Sequence, residues 1–328
     1  MRPAFVISLD EELIWGSFDH TPEDRWSAEN PDPRGVVRDL LGLFEEYEIP
    51  CTWAVVGHLF LRSCERGTDG RAHPELARPS FPWHQGDWFA GDPCSDRQRA
   101  PLWYGDDLLD WILDARVGHE IGCHSFSHVV YGDPGCGAEV ARDDIKACLE
   151  AARSRGVTLR SFVFPRNVEG HHGLLAEHGF SAYRGEDPAW FRPLPSRPKR
   201  IAHLADQLLG ITPPVSSPHE RLPGLWNIPG SMIFLPRNGV RRFVPLATRV
   251  RKAHAGLARA VAEQRVFHLW FHPFNFSADR IAMLRAFGSV LRRAAELRDR
   301  GFLDISTMGQ LALQLSARGR TRTHLATA

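Results

Sequence analysis

Apolar positions along the chain follow two alternating patterns, one typical of buried strands and one typical of amphipathic helices. Ala4–Leu9 is a short and almost continuous apolar run, which indicates a buried strand. Gly35–Tyr47 then carries apolar residues three and four positions apart, which predicts an amphipathic helix that ends before Pro50. Further strands are predicted at Thr52–Val56, His119–Cys123, Ser161–Phe164, Phe180–Tyr183, Val266–Phe271 and Phe302–Ile305. Further helices are predicted at Asp107–Arg116, Ala138–Arg155, Gly173–His178 and Leu246–Glu263, and a last one from the N-cap Ser277 to Gly301.

The alternation of strands and helices predicts an α/β fold with a parallel sheet. About seven strands favour a sheet closed into a distorted β/α barrel, and such barrels often need about 250 residues. The chain has 328 residues, which is enough for one barrel with long loops. We therefore expect a single domain over residues 1–315 and a flexible, basic tail over residues 316–328.

Two stretches interrupt this alternation. Residues 63–104 are rich in Gly, Pro, Trp and Asp, and residues 186–223 are rich in Pro and Arg. Long loops in compact domains are usually binding loops or lids, or else disordered. The tryptophans of the first stretch, Trp83, Trp88 and Trp103, argue against disorder there.

Composition narrows the class of partner and the compartment. The net charge of +1 gives no electrostatic footprint for nucleic acid or a membrane surface. No apolar run approaches the roughly 18 residues of a membrane span, and Ala4–Leu9 is too short for the core of a signal peptide. The six cysteines show no Cys-x-x-Cys spacing, which is typical of reduced thiols. We expect a cytoplasmic protein.

Polar residues that can carry chemistry follow four of the predicted strands. Asp10-Glu11-Glu12 follows the first, His124 the third, Pro165-Arg166-Asn167 the fourth, and His272 the strand at Val266–Phe271. The carboxyl ends of parallel strands meet at one rim of a barrel, where active sites gather. The sequence thus predicts one site built from all four segments.

His124 and His128 lie four positions apart, and on a helix such residues share one face. Two imidazoles on one face are a common zinc-binding arrangement, which needs a third ligand and leaves a position for water. The acids after the first strand can supply that ligand. On an extended strand end, Asp10 and Glu12 point the same way, which favours Glu12 over Glu11 as the carboxylate.

These segments resemble the motifs of the polysaccharide deacetylase family, the carbohydrate esterases (family 4 type) that remove acetyl groups from sugars. His124-Ser125-Phe126-Ser127-His128 matches its metal motif, and Trp270-Phe271-His272 its late histidine motif. Ile7–Glu12 is similar to its first motif, although the usual Asp-Asp pair is absent. Phe164-Pro165-Arg166-Asn167 is similar to its arginine motif in a different order. The resemblance covers roughly residues 4 to 306 and implies a distorted barrel of about seven strands.

The resemblance also implies roles for the residues that match. One divalent ion, most simply zinc, would be held by Glu12, His124 and His128, with Glu11 as the alternative to Glu12. Asp10 would be the general base, Arg166 would hold it ionised, and His272 would protonate the departing amine. The expected reaction is hydrolysis of the N-acyl amide of an amino sugar, in a small molecule or an oligosaccharide.

Three other interpretations remain open from the sequence. The same architecture can act as a deformylase or on other C–N bonds outside sugars, or it can bind a sugar with reduced catalysis. Two histidines and a carboxylate also describe non-haem iron oxygenases, but the best-known of those have β scaffolds, whereas this chain alternates strands with helices. His268 lies on the same predicted strand face as His272 and competes with it for the acid role.

Overall fold

A curled and mostly parallel sheet forms the centre of the computed structural model, which describes residues 2–326, with side chains up to residue 318. The strands are β1 (Ala4–Glu11), β2 (Thr52–Val55), β3 (Glu120–Cys123), β4 (Ser161–Val163), β5 (Ala182–Arg184), β6 (His219–Leu222), β7 (Leu225–Asn227), β8 (Met232–Ile233), β9 (Val266–Phe271) and β10 (Asp304–Ile305). The helices are α1 (Glu23–Glu29), α2 (Pro33–Glu46), α3 (Asp106–Leu113), α4 (Ala138–Ser154), α5 (His172–Glu177), α6 (Ser196–Leu209), α7 (Leu246–Glu263), α8 (Arg280–Asp299) and α9 (Met308–Ala326).

The strands are ordered β6-β7-β5-β4-β3-β2-β1-β9-β8, and β10 pairs with the start of β1. Every pair in this order is parallel except β6 with β7. The segment between β7 and β8 is bonded to strands on both sides of the opening in the sheet. Gly230 N–H donates to Gly185 O, directly after β5, and Ser231 N–H donates to His268 O of β9. The fold is the predicted distorted β/α barrel.

The register of the central strands places their carboxyl ends at one rim. Glu11 of β1 pairs with Val55 of β2, and Val55 pairs with Cys123 of β3. All eight residues of β1 are buried, because neighbouring strands cover both of its edges and helices cover the sheet. Residues that directly follow these strands therefore lie close together, although they are far apart in the sequence.

Local periodicity predicted most elements with small differences at their ends. Helix α7 and strand β9 have the predicted bounds. The apolar face of α2 is buried, and Asp32 caps this helix by accepting a hydrogen bond from Gly35 N–H at 2.9 Å. The predicted N-cap Ser277 is wrong, since α8 begins at Arg280 after a 3-10 segment that contains Ser277.

The second predicted loop, residues 186–223, contains a helix and a strand. Helix α6 and strand β6 lie within it, and β7 follows directly. Pro198 lies in the first turn of α6, where a missing N–H group costs no helical hydrogen bond, so the proline content was a poor guide to loop structure here.

The first predicted loop is irregular, and we name residues 61–105 the insertion. They contain neither helix nor strand, only an isolated bridge between Ser63 and Asp96. Trp88, Phe89 and Trp103 are nevertheless buried, whereas Trp83 is 43% exposed. Aromatic packing rather than backbone pairing thus orders much of this segment.

Helix α9 extends beyond residue 316, where we expected the tail to begin, and Trp226 Nε1–H donates to Ser316 Oγ at 2.8 Å. The last two residues of that predicted tail, 327 and 328, lie outside the described residues. Within residues 2–326, none of the helices has the length and apolar character needed to cross a membrane.

Candidate metal centre

Side chains from four strand ends meet at the carboxyl rim of the barrel. Asp10 is the next-to-last residue of β1, His124 follows β3, Arg184 ends β5 and His272 follows β9. Each position is set by the parallel register, which aligns these ends. The rim thus gathers carboxylates, imidazoles and a guanidinium in one place, as is typical of active sites in β/α barrels.

Glu12, His124 and His128 form a compact set that we name the Glu12 group. Oε2 of Glu12 lies 3.1 Å from Nε2 of His124 and 3.2 Å from Nε2 of His128. All three residues are buried. Gly16 makes room for the Glu12 carboxylate, since a Cβ at this position would collide with it. One imidazole nitrogen from each histidine and one carboxylate oxygen thus converge, which suits a divalent cation such as zinc.

A hydrogen bond fixes which nitrogen of His124 faces Glu12. Nδ1 of His124 lies 2.8 Å from Val163 O, and because a carbonyl only accepts, Nδ1 carries the hydrogen. In neutral His124 the Nε2 lone pair then points at Glu12 Oε2. Two lone pairs at this distance repel each other unless a proton or a metal cation lies between them, so Nε2 of His124 either carries a proton or is free to bind a metal ion.

The electrostatics of the Glu12 group favour an ionised carboxylate and differ between its two imidazoles. Burial opposes ionisation of Glu12, but the nearby His272 and His128 outweigh it and hold the pKa of Glu12 well below its usual range. Burial lowers the pKa of His128, whereas for His124 burial is outweighed by the hydrogen bond to Glu12 and the charge of Asp10, which raise its pKa. The ionised Glu12 and the neutral form of His128 are the protonation states that metal ligation requires, and a cation bound at Nε2 of His124 would replace the proton there.

The histidines do not lie on a helix, so that prediction is wrong. Residues 124–130 form a loop, in which Ser125 (φ 66°) and His128 (φ 59°) have left-handed backbone conformations. These conformations bring both rings to Glu12, with ring centroids 5.0 Å apart. Backbone strain of this kind is retained where surrounding contacts impose it, often at functional sites.

Asp144 supplies much of that restraint, and sequence reasoning missed it. It lies buried on α4 and accepts hydrogen bonds from Phe126 N–H (2.8 Å), Ser127 N–H (3.2 Å) and the Tyr131 hydroxyl (2.7 Å). Burial raises the pKa of Asp144 in spite of these bonds. The available signal was an acid on the otherwise apolar face of a predicted amphipathic helix.

Glu11, the alternative carboxylate, lies outside the Glu12 group. Burial, together with the charge of Glu12, raises the pKa of Glu11 to about 8. Its Oε2 is buried without a hydrogen-bond partner. A protonated acid directed away from the two imidazoles is poorly suited to binding the same cation.

Asp10 is held by an arginine, but not by the predicted one. Both nitrogens of the Arg184 fork lie 2.6 Å from the two oxygens of Asp10, and both residues are buried. Burial opposes ionisation of Asp10, and Arg184 outweighs it and lowers the pKa of Asp10. Arg166 instead pairs with Asp19 at 2.5 Å and lies over the Trp83 ring. The predicted contact between Arg166 and Asp10 is therefore wrong.

Arg184 lies at the end of strand β5, so the rule that predicted the other rim residues, a polar side chain at a strand end, also applies to it. The sequence pattern ended that strand at Tyr183, one residue short. Arg184 also donates to Ser8 Oγ at 3.0 Å, and Ser8 Oγ lies 2.9 Å from Nε2 of His268. Nδ1 of His268 lies 3.2 Å from Ile228 O, so neutral His268 accepts from the Ser8 hydroxyl.

The two competing histidines of β9 and its end occupy different places. His268 is fully buried beneath Asp10. The side chain of His272 is 24% exposed, and its Nε2 lies 3.5 Å from Glu12 Oε1 and 3.8 Å from Asp10 Oδ2. Only His272 can exchange a proton with a molecule outside the barrel while remaining beside the Glu12 group.

A cavity of about 300 Å³ opens directly onto Glu12 and His272. Trp26, Phe274 and Asn238 form parts of its wall. A larger cavity of about 590 Å³ lies between α2 and α8, but the rim residues described above do not line it. The smaller cavity therefore gives a ligand access to the Glu12 group.

Comparison with known proteins identifies the fold. No family model and no curated protein sequence matches the chain. A solved polysaccharide deacetylase from Mycobacterium smegmatis, described as putative in its own right, aligns with a TM-score of 0.63 and 18% identity, over 96% of this chain and 91% of that one. A probable polysaccharide deacetylase from Pseudomonas aeruginosa PAO1 aligns with a TM-score of 0.59 and 12% identity, over 94% and 89%. The Puue allantoinase aligns with a TM-score of 0.58 and 13% identity, over 96% and 90%. The chain therefore has the fold of the polysaccharide deacetylases.

Proposed function

We propose that this protein is a metal-dependent amidohydrolase that removes an acyl group, most simply acetyl, from an N-acylated amino sugar. One observation carries the proposal: the Glu12 group lies beside both a carboxylate held by arginine and a partly exposed histidine. A cation site, a base and an acid at one cavity are the components of amide hydrolysis.

Glu12, His124 and His128 would hold one divalent ion, and their two nitrogens and one oxygen favour zinc. Three protein ligands are typical of catalytic rather than structural zinc, since one position stays available for water or substrate. When bound, the ion would polarise a water molecule and the amide carbonyl.

Asp10 would act as the general base. The guanidinium of Arg184 keeps this buried carboxylate ionised and fixes both of its oxygens. Asp10 accepts the proton of the water molecule whose oxygen bonds to the carbonyl carbon. The fixed geometry reduces the reorganisation that this proton transfer needs.

His272 would act as the general acid. Its position between the cavity and the Glu12 group lets it donate a proton to the amide nitrogen as the C–N bond breaks. The products are a carboxylic acid and an amine. Without this proton the nitrogen would have to leave as a strongly basic anion, and the activation free energy of C–N bond cleavage would be much higher.

The cavity supports a small, partly apolar substrate. Its volume of about 300 Å³ is near the lower end of typical ligand pockets. The half-buried Phe274 offers an aromatic ring that can pack against a sugar, supported by the buried Trp26 at 5.6 Å between ring centroids, and the exposed Asn238 offers an amide. The cytoplasmic location predicted from the cysteines favours a sugar precursor over a cell-wall polymer.

Acyl release by purified protein with added zinc tests this proposal. The panel should contain N-acetyl and N-formyl amino sugars together with non-sugar amides and ureides, because one of the similar structures is an allantoinase. We expect acetate release that stops on chelation and in His124→Ala. His219→Ala, a change at an exposed histidine of β6, is the matched control and should remain active.

Two other results would change the conclusion. Activity confined to formyl amides or ureides would retain the amidohydrolase and replace the substrate. A protein that binds zinc through His124 yet cleaves none of these compounds would contradict the proposed activity and favour a sugar-binding role.

A further inference from the structure

A second set of potential metal ligands lies outside the rim site. His58 follows β2, and Cys64, His73 and Asp92 belong to the insertion; we name these four residues the His58 group. Their ligand atoms all lie within 4.8 Å of one another. His58, His73 and Asp92 are buried, and Cys64 is half-buried.

Three ligand atoms of the His58 group lie close to one carboxylate oxygen of the fourth residue. Oδ2 of Asp92 lies 3.0 Å from Nε2 of His58 and 2.9 Å from Nε2 of His73. Sγ of Cys64 lies 3.6 Å from the same oxygen and 3.7 Å from Nε2 of His58. The other oxygen of Asp92 accepts a hydrogen bond from Cys94 N–H at 2.9 Å, which turns Oδ2 toward the three ligands.

The tautomer of His58 supports a cation in the centre of the group. Nδ1 of His58 lies 3.1 Å from Trp103 O, so Nδ1 carries the hydrogen. The Nε2 lone pair of neutral His58 then faces Asp92 Oδ2, and these two acceptors repel each other unless a proton or a metal cation separates them. His124 and Val163 show the same arrangement in the Glu12 group.

The donor set identifies the class of cation. Two imidazoles, one thiolate and one carboxylate are a zinc-type set, because sulfur disfavours magnesium and calcium. Four protein ligands fill a tetrahedral site, which is typical of structural zinc. We infer that His58, Cys64, His73 and Asp92 bind a second divalent cation, zinc by its donor set, that fastens the insertion to the barrel.

Such a cation would also affect the loop that carries His124 and His128. His58 N–H donates to Phe126 O at 2.9 Å, and Gly57 N–H donates to Ser125 O at 2.8 Å. On the insertion, Trp88 Nε1–H donates to Ser127 O at 3.0 Å. Fastening His58 and the insertion together therefore restrains the histidine loop from two directions.

Metal counting on the purified full-length protein after zinc loading tests this inference independently of any enzymatic activity. We expect two equivalents in the wild type, and one in His124→Ala/His128→Ala, which removes the Glu12 group. Cys64→Ser should lose one equivalent. The matched control is Cys94→Ser, whose side chain neighbours Cys64 without belonging to the His58 group, and it should keep two.

Cobalt binding tests the role of Cys64 without substituting it, so a folding defect in Cys64→Ser does not affect this second measurement. Cobalt-loaded His124→Ala/His128→Ala should show a sulfur-to-cobalt charge-transfer band, which identifies Cys64 as a ligand. No band in that variant, or zinc binding by the wild type that disappears entirely in it, would overturn the inference.

Thiol counting separates the metal site from a disulfide between Cys64 and Cys94. All six thiols of the chain should react in unreduced protein that is denatured with a chelator. Four reactive thiols in the wild type that a reductant restores to six, together with five reactive thiols in unreduced Cys94→Ser, would place a disulfide at Cys64 and overturn the inference. Three in unreduced Cys94→Ser would place it elsewhere, for example between Cys123 and Cys148, whose sulfurs lie 3.2 Å apart, and would leave Cys64 a free thiol as the inference requires.

Discussion

The Glu12 group and the His58 group are built from similar side chains but differ in their surroundings. Each has two histidines and one acid, and each contains a histidine whose Nδ1 faces a backbone carbonyl. The Glu12 group has three ligands and borders Asp10, His272 and a cavity. The His58 group has a fourth ligand, Cys64, in place of an open position. An open position beside an acid and a base suits catalysis, whereas a closed set suits structural support.

An Asp→Asn substitution beside the Glu12 group and one within the His58 group should differ most in their effects on kcat and on bound zinc. Asp10→Asn removes the base and should lower kcat by about 10² to 10⁴-fold without loss of bound zinc. Asp92→Asn should release one equivalent of zinc and lower kcat less than about tenfold, because it touches no reacting atom. Steady-state kinetics and metal analysis of both variants check this. Similar losses of kcat in the two variants would remove the functional distinction.

Arginine substitutions test which guanidinium supports the base. Arg184→Met leaves the buried Asp10 carboxylate without its partner and should lower the free energy of unfolding by about 3 to 5 kcal/mol at neutral pH. Arg166→Met should cost only about 1 kcal/mol, since the side chain of Arg166 is one-third exposed and pairs with Asp19. Urea unfolding of the two variants measures the difference. Equal losses would mean that the Asp10–Arg184 pair is no stronger than the partly exposed Arg166–Asp19 pair.

Zinc should stabilise the fold through the His58 group even when the Glu12 group is removed. In the His124→Ala/His128→Ala background, zinc at a hundredfold excess over its Kd should raise the free energy of unfolding by about 2.7 kcal/mol. Adding Cys64→Ser should abolish this increase, and adding Cys94→Ser should leave it unchanged. Stabilisation that persists with Cys64→Ser would assign the effect to other ligands.

His268 belongs to neither group, so its effect on the pH dependence of stability can be measured in the metal-free protein as a reference for both groups. Burial lowers the pKa of His268 from its ordinary value of 6.5 to about 3. Below the ordinary value the unfolded chain binds a proton that the folded chain excludes, so stability falls as the pH falls from 6.5 toward 3. His268→Gln should remove about 1 kcal/mol of the loss between about pH 6 and about pH 5. Unfolding curves at these two pH values, with chelator present, show whether the variant has the shallower dependence.

The barrel and its reactive rim could be predicted from the sequence because they depend on local patterns. Buried strands such as Val266–Phe271 are short apolar runs, and helices such as Leu246–Glu263 repeat apolar residues at helical spacing. Parallel strands then place the residues after them at one rim, so Asp10, Glu12 and His272 were predicted to lie together. Helix periodicity misassigned the His124–His128 segment, because a four-residue spacing does not distinguish a helix from a loop with left-handed residues.

Long-range partners could not be predicted in the same way. Arg184 contacts Asp10 although the two residues are 174 positions apart in the sequence. Arg166, which the resemblance to the arginine motif favoured as the partner of Asp10, bonds to Asp19 instead. The His58 group joins residues spaced irregularly along an insertion without helix or strand, and no metal-binding spacing pattern marks them.

The sequence by itself determined the alternation of strands and helices, the rim at which reactive side chains gather, and the two histidines of the Glu12 group, and it favoured Glu12 over Glu11 beside them. Only the tertiary structure decided which arginine neutralises Asp10, that Asp144 restrains the histidine loop, and that His58 meets three residues of the insertion. The physical reason is range: periodic burial is encoded within one turn or one strand, whereas ion pairs and ligand sets depend on the packing of segments that are distant in the chain.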